Sequence, residues 1–149
     1  MKKSIMTLMG VIMATVGVMA ASFTDDDRVI NYEELPAAAR SFIKQYFPNE
    51  QPSYTFEDRD LTHTEYKVVM ASGTKLEFND KGEWRDVECR GCAVPAALVP
   101  KEIADYVAKH YASCTVTEIS KDRNEWDVKL SNGVEMEFSS DFRLVEVDD

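Results

Sequence analysis

Two stretches decide the architecture: EYKVVMASGTKLEFNDKGEWRDVE at 65–88 and EWDVKLSNGVEMEFSSDFRLVEVD at 125–148. They align without gaps at an offset of 60, and six of the 24 pairs are identical, among them Gly73/Gly133, Glu77/Glu137 and Phe78/Phe138. In each, apolar residues take every second place: Tyr66, Val68 and Met70, then Leu76 and Phe78; Trp126, Val128 and Leu130, then Met136 and Phe138. A period of two with polar residues between describes strands packed on one face and solvated on the other. Ser72-Gly73 and Asn132-Gly133 read as two-residue hairpin turns. Asn79–Gly82 reads as a longer turn into a last strand carrying Trp84 and Val87, and further strands are expected at 54–58 and 114–120.

Upstream of each hairpin pair the period changes to that of a helix. Ala39, Phe42, Ile43, Tyr46 and Phe47 form one apolar stripe, and at an offset of 64 the same places hold Ile103, Tyr106, Val107, His110 and Tyr111. Pro36 and Pro100 suit the first helical turn, where a missing N–H costs nothing. Pro48 stops the first helix, and Asn31 with Glu34 is a cap for a short preliminary turn. The expected fold class is therefore α+β: a tandem duplication of a helix packed on a four-stranded antiparallel sheet. Units of about sixty residues are marginal alone, so the two are expected to pack together, joined through residues 89–98. The expected boundaries are 1–20 for a signal peptide, 21–91 for the first repeat with its acidic N-terminal segment, and 92–149 for the second.

The N-terminal segment bears Lys2 and Lys3, then an apolar run from Ile5 to Ala21, with Val18 and Ala20 placed for signal-peptidase cleavage after Ala20. The run is short for a membrane span and is followed by Asp25–Asp27 rather than a basic stop, so no stable membrane anchor is expected after cleavage. Cleavage removes two lysines and no acid, which moves the net charge from −10 to −12, and takes five of the seven methionines. A pI near 4.7 with no basic run argues against nucleic-acid binding, which needs clustered Lys and Arg.

With these features in place, the sequence resembles the PepSY-like, beta-lactamase-inhibitor-like proteins, secreted proteins of Bacteroidota. The resemblance rests on the signal segment, the Leu35-Pro36 helix ending at Phe47-Pro48, the hairpin YKVVMASGTKLEFNDKGEW, and VPAALVPKEIADYV at the start of the second copy. It spans about residues 23–149. It implies tandem helix-plus-sheet units with a sheet surface suited to holding another protein, and an association with peptidase or beta-lactamase inhibition. No inhibitory contact motif is shared, so no hot-spot residue is carried over.

The remaining chemistry is sparse. Cys89 and Cys92 have C-x-x-C spacing but lie after a strand and before a proline-containing linker, without the helix N-terminus that a redox pair needs. They are a candidate disulfide, and an oxidising compartment permits one. The odd third cysteine, Cys114, with Cys89, Cys92 and His110, supports an alternative thiol-redox or metal-linked function, although the second half lacks paired zinc-ligand spacing. His63 sits in a polar loop. No hydrolase, metalloprotease or nucleotide motif is present, and the terminal aspartates lack calcium-loop spacing, so neither an enzyme, a cofactor nor a metal is expected.

What the pattern does offer is a surface. Alternation sends Lys67, Glu77, Asp127, Lys129, Glu135 and Glu137 to the face opposite the helices. Trp84 joins them as an apolar anchor if the last strand alternates simply, whereas a bulge would turn it to cap the helix–sheet core. The expectation is a secreted, non-catalytic protein-binding module, an inhibitor or regulator of an envelope or extracellular enzyme such as a peptidase, with a protein partner yet to be identified.

Overall fold

The computed structural model describes residues 27–149; the signal segment 1–20 and the acidic Asp25 and Asp26 lie outside them. The strands are β1 (Asp27–Val29), β2 (Pro52–Arg59), β3 (Thr64–Met70), β4 (Lys75–Phe78), β5 (Trp84–Glu88), β6 (Val116–Lys121), β7 (Glu125–Leu130), β8 (Glu135–Ser139) and β9 (Leu144–Asp148). Helix α1 (Ala37–Tyr46) separates β1 from β2, and α2 (Lys101–His110) separates β5 from β6. Each follows a short 3-10 turn, at Tyr32–Glu34 and Ala96–Leu98.

The sheet corrects the expected fold class. Two helix-on-four-strand units, each with its own sheet, are not what forms. All nine strands make one antiparallel sheet in the order β1 to β9, so the described chain is mostly β with two short helices. The element that overturns the expectation is the β5–β6 pairing, with Asp86↔Ser120, Val87↔Ile119 and Glu88↔Glu118 in register. Its physical basis is the cost of an open strand edge: separate sheets would leave β5 and β6 with unpaired N–H and C=O rows. The linker continues the seam, with Cys89 N–H donating to Thr117 O and Val94 N–H to Val116 O, both at 2.8 Å.

Both helices begin just after a proline at the cap and lay their stripes on this sheet. Phe42 meets Phe78 edge to face at 5.5 Å, and Tyr106 meets Phe138 in the same way at 5.7 Å. Phe78, Phe138, Leu76, Val68, Val87, Ile119 and Leu130 belong to one buried cluster that runs through the seam. The hairpin turns carry three residues, not two: Met70 N–H donates to Thr74 O and Leu130 N–H to Val134 O, enclosing 71–73 and 131–133. Gly73 and Gly133 both take φ of +91°, the left-handed residue that closes such a turn without side-chain clash. Strand β1, unanticipated, is clamped at the edge by the buried Glu57, which accepts from Arg28 Nη2 and Arg59 Nη2 at 2.6 Å each.

Candidate functional site

Register fixes what the sheet displays away from the helices. One row of side chains crosses the strands as Val29, Phe56, Lys67, Glu77, Asp86, Ser120, Asp127, Glu137 and Glu146. A second runs Tyr54, Val69, Lys75, Glu88, Glu118, Lys129, Glu135 and Asp148. Carboxylates thus stand directly opposite one another at Glu77↔Asp86, Glu88↔Glu118, Asp127↔Glu137 and Glu137↔Glu146. Like charges facing across a ladder destabilise it, so their accumulation here works against the fold.

Three lysines interrupt the field. Lys67 Nζ lies 3.3 Å from Asp58 Oδ2 and 3.6 Å from Asp27 Oδ1, Lys75 Nζ 3.2 Å from Glu88 Oε2, and Lys129 Nζ 3.0 Å from Glu135 Oε1. Among the described residues the central carboxylates Asp86, Glu118 and Asp127 form no such ion pair. Burial, then the charges of Glu118, Glu77 and Glu88, pushes Asp86 well above the usual carboxylate range, against the pull of Lys75. Asp86 is 4 % exposed, and its Oδ1 has no hydrogen-bond partner among the described residues. Burial and neighbouring Glu88 push Glu118 up to about 7, and burial with Glu125 and Glu137 takes Asp127 up to about 7. Glu77 and Glu137 are also raised, chiefly by burial. A buried carboxylate lacking donors is costly, and such groups concentrate where a ligand supplies what the fold does not.

Residues 64–146 match the family described as "Putative beta-lactamase-inhibitor-like, PepSY-like". The chain belongs to the PepSY-like family. Its fold is shared by solved periplasmic structures. A "putative periplasmic protein" of the DUF2874 family from Bacteroides vulgatus ATCC 8482 is 38% identical, with a TM-score of 0.82 over 85% of this chain and 100% of that one. A "putative calcium-regulated periplasmic protein" from Bacteroides thetaiotaomicron is 35% identical, with a TM-score of 0.81 over 84% and 98%. A second Bacteroides vulgatus protein, of unknown function, is 32% identical at a TM-score of 0.79 over 83% and 99%. No curated protein matches the sequence. This PepSY-like protein is periplasmic or secreted, like those it resembles, and no catalytic family is indicated by any of them. Among the described residues no helix is long and apolar enough to cross a membrane.

In this PepSY-like chain six of the seven surface residues named from the sequence come together: Lys67, Glu77, Asp127, Lys129, Glu135 and Glu137 share the open face. Trp84 does not. The register slips between Glu77 and Phe78, so Trp84 pairs with Phe78 and turns to the helix side, 6.1 Å from Phe42. The period-two reading missed Asp86, Glu88 and Glu118, because β5 and β6 become neighbours only through the seam. It also missed Tyr54, 48 % exposed and stacked on Phe56, which gives the open face its own apolar edge. Cys89, Cys92 and Cys114 are free thiols. Cys89 is a core residue, and burial with the adjacent Cys92 pushes its thiol up to about 12.

Proposed function

We propose that this PepSY-like protein is a secreted, non-catalytic binding module whose open sheet face receives the basic surface of a protein partner, acting as an inhibitor or regulator of an envelope or extracellular enzyme. The observation that carries the reading is Asp86: a buried carboxylate oxygen without a donor among the described residues, in the middle of a row of carboxylates. A partner's guanidinium or ammonium pairs with the half-exposed Glu118 and Asp127 around it and offsets the repulsion between facing acids. Tyr54 serves as the apolar anchor at the edge of the same face, the role first expected of Trp84.

Two other readings have less support. A thiol-redox role needs an accessible thiolate, and Cys89 is buried with its thiol held protonated. The calcium named for the Bacteroides thetaiotaomicron protein is not carried over, since among the described residues no three His, Cys, Asp or Glu side chains come together to hold a metal.

The test is capture from the native periplasm with the mature chain, beside Glu118→Lys/Asp127→Lys and Tyr54→Ala variants. The expected result is a basic protein retained at low salt, released as salt rises, and lost from both variants. A partner retained equally by the charge-reversed protein, or no partner together with no effect on candidate peptidases and lactamases, rejects the reading.

A further inference from the structure

The opposite side of the molecule carries a concavity. A cleft of about 390 Å³ opens where α1, the β4–β5 turn and the end of β6 meet, lined by Ala38, Phe42, Gly82, Glu83, Trp84, Arg85 and Lys121. Its floor is apolar. Phe42 and Trp84 lie 6.1 Å apart, and Trp126 closes on Trp84 edge to face at 6.1 Å. Gly82 keeps the wall thin: a Cβ there would come within 2.8 Å of Pro36 Cβ and 2.9 Å of Ala39 N.

The charge in this cleft is opposite to that of the chain. On a protein of net charge −10, two cations, Lys121 and Arg85, line it with a single carboxylate, Glu83, and neither cation lies within 4.0 Å of an acidic oxygen among the described residues. Lys121 Nζ rests 4.1 Å from the centre of the Trp84 ring and 5.9 Å from that of Trp126. Glu83 accepts from Asn79 Nδ2 at 2.8 Å, and the charges of Lys81, Arg85 and Lys121 also favour its ionised form. An apolar floor under two cations, with Glu83 the one carboxylate beside them, keeps a net positive charge and is complementary to one kind of molecule, and the volume suits a small one.

We propose that this cleft binds a carboxylate bearing an apolar or aromatic group, with the anion between Lys121 and Arg85 and the apolar body on Phe42 and Trp84. The source of that carboxylate is either a free organic acid or the C-terminus of a peptide ending in an apolar residue. The site is independent of the acidic face.

Trp84 lines the cleft and Trp126, the other tryptophan of the chain, packs against it, so intrinsic fluorescence reports occupancy. The mature protein is titrated with phenylacetate and with neutral phenylacetamide, and calorimetry supplies a second readout. Phenylacetate should give a saturable change, with the amide at least about tenfold weaker because it forms no charge-assisted bond. Lys121→Gln and Arg85→Gln should each weaken phenylacetate by about tenfold by calorimetry while the far-UV spectrum stays unchanged. Acetyl-Gly-Phe with a free or an amidated C-terminus separates the sources: a peptide acid tighter than phenylacetate assigns the cleft to chain termini, and the reverse order assigns it to free acids. Absence of saturation for every acid, equal binding of acid and amide, or indifference to both substitutions overturns the proposal.

Discussion

Trp84 stands directly opposite Phe78 in the β4–β5 hairpin, and Arg85 is the additional residue that this register slip accommodates. A bulge reverses the alternation of every side chain beyond it, and here it moves the indole from the acidic face to the end of the helix–sheet core. Trp84→Ala should therefore cost about 2–3 kcal/mol of stability, less than a fully buried aromatic because the ring is half-exposed. Urea denaturation measures it. A variant of unchanged stability that has lost the partner would return Trp84 to the binding face.

Phe78 and Phe138 are 0 % and 1 % exposed, each against an aromatic residue of a helix. Truncating either to alanine removes a ring from a close-packed core and should cost about 3–5 kcal/mol. Because one cluster spans the seam, either variant should unfold in a single transition by far-UV circular dichroism. Two separated transitions would show that the halves fold independently.

Stability should fall as pH rises through neutrality. Glu118 and Asp127 keep their protons to about pH 7 in the folded chain, whereas in the unfolded chain they release them near about pH 4. The folded state thus binds more protons between these values, so the contribution is complete below the unfolded pKa and lost as pH passes the folded one. The groups facing Glu118 are Glu88, Lys129, Glu135 and Lys75; those facing Asp127 are Glu125, Glu137, Glu118 and Glu135. Solvent screening reduces the loss to on the order of 1–2 kcal/mol per group. Glu57 acts in the opposite sense: the Arg28 hydrogen bond lowers its pKa, so its contribution is lost only as pH falls into the acid range. Melting temperature should decline from about pH 4.5 to about pH 7.5 and level off above, and Glu118→Gln/Asp127→Asn should flatten the decline. An equally steep profile in the double variant would show that other groups govern it.

The three thiols should differ in reactivity. Cys89 is 3 % exposed with a raised pKa, while Cys92 is exposed and Cys114 half-buried. Brief alkylation at pH 7.5 should modify Cys92 first and leave Cys89 intact, as read by mass spectrometry of the native protein. Cys89→Ser should cost about 1–2 kcal/mol by placing a hydroxyl in the core, and Cys92→Ser much less. Rapid labelling of Cys89 would instead support a redox role.

Much of the local structure was legible because its signals are local. The stripe Ala39–Phe42–Ile43 and its counterpart Ile103–Val107 mark helices by a spacing that needs no knowledge of the rest of the chain, and these residues are buried on α1 and α2. The alternation around Val68 and Val128 marks which side of β3 and β7 is packed, since successive Cβ atoms leave a strand on opposite sides. From this, Lys67, Glu77, Asp127, Lys129, Glu135 and Glu137 could be assigned to one face.

What the sequence alone determined, then, was which side of each strand faces solvent and where the helices lie. The tertiary structure decided which strands are neighbours. Backbone N–H and C=O groups are the same at every residue, so nothing in the side chains announced that β5 would pair with β6 and merge the strands into one sheet. That pairing brings Asp86 against Ser120, 34 residues away, and Glu88 against Glu118, 30 away, and buries Asp86 without a donor among the described residues. The bulge that turns Trp84 toward Phe42 is likewise a matter of register between two strands, fixed by the packing of both against α1 rather than by the spacing within either.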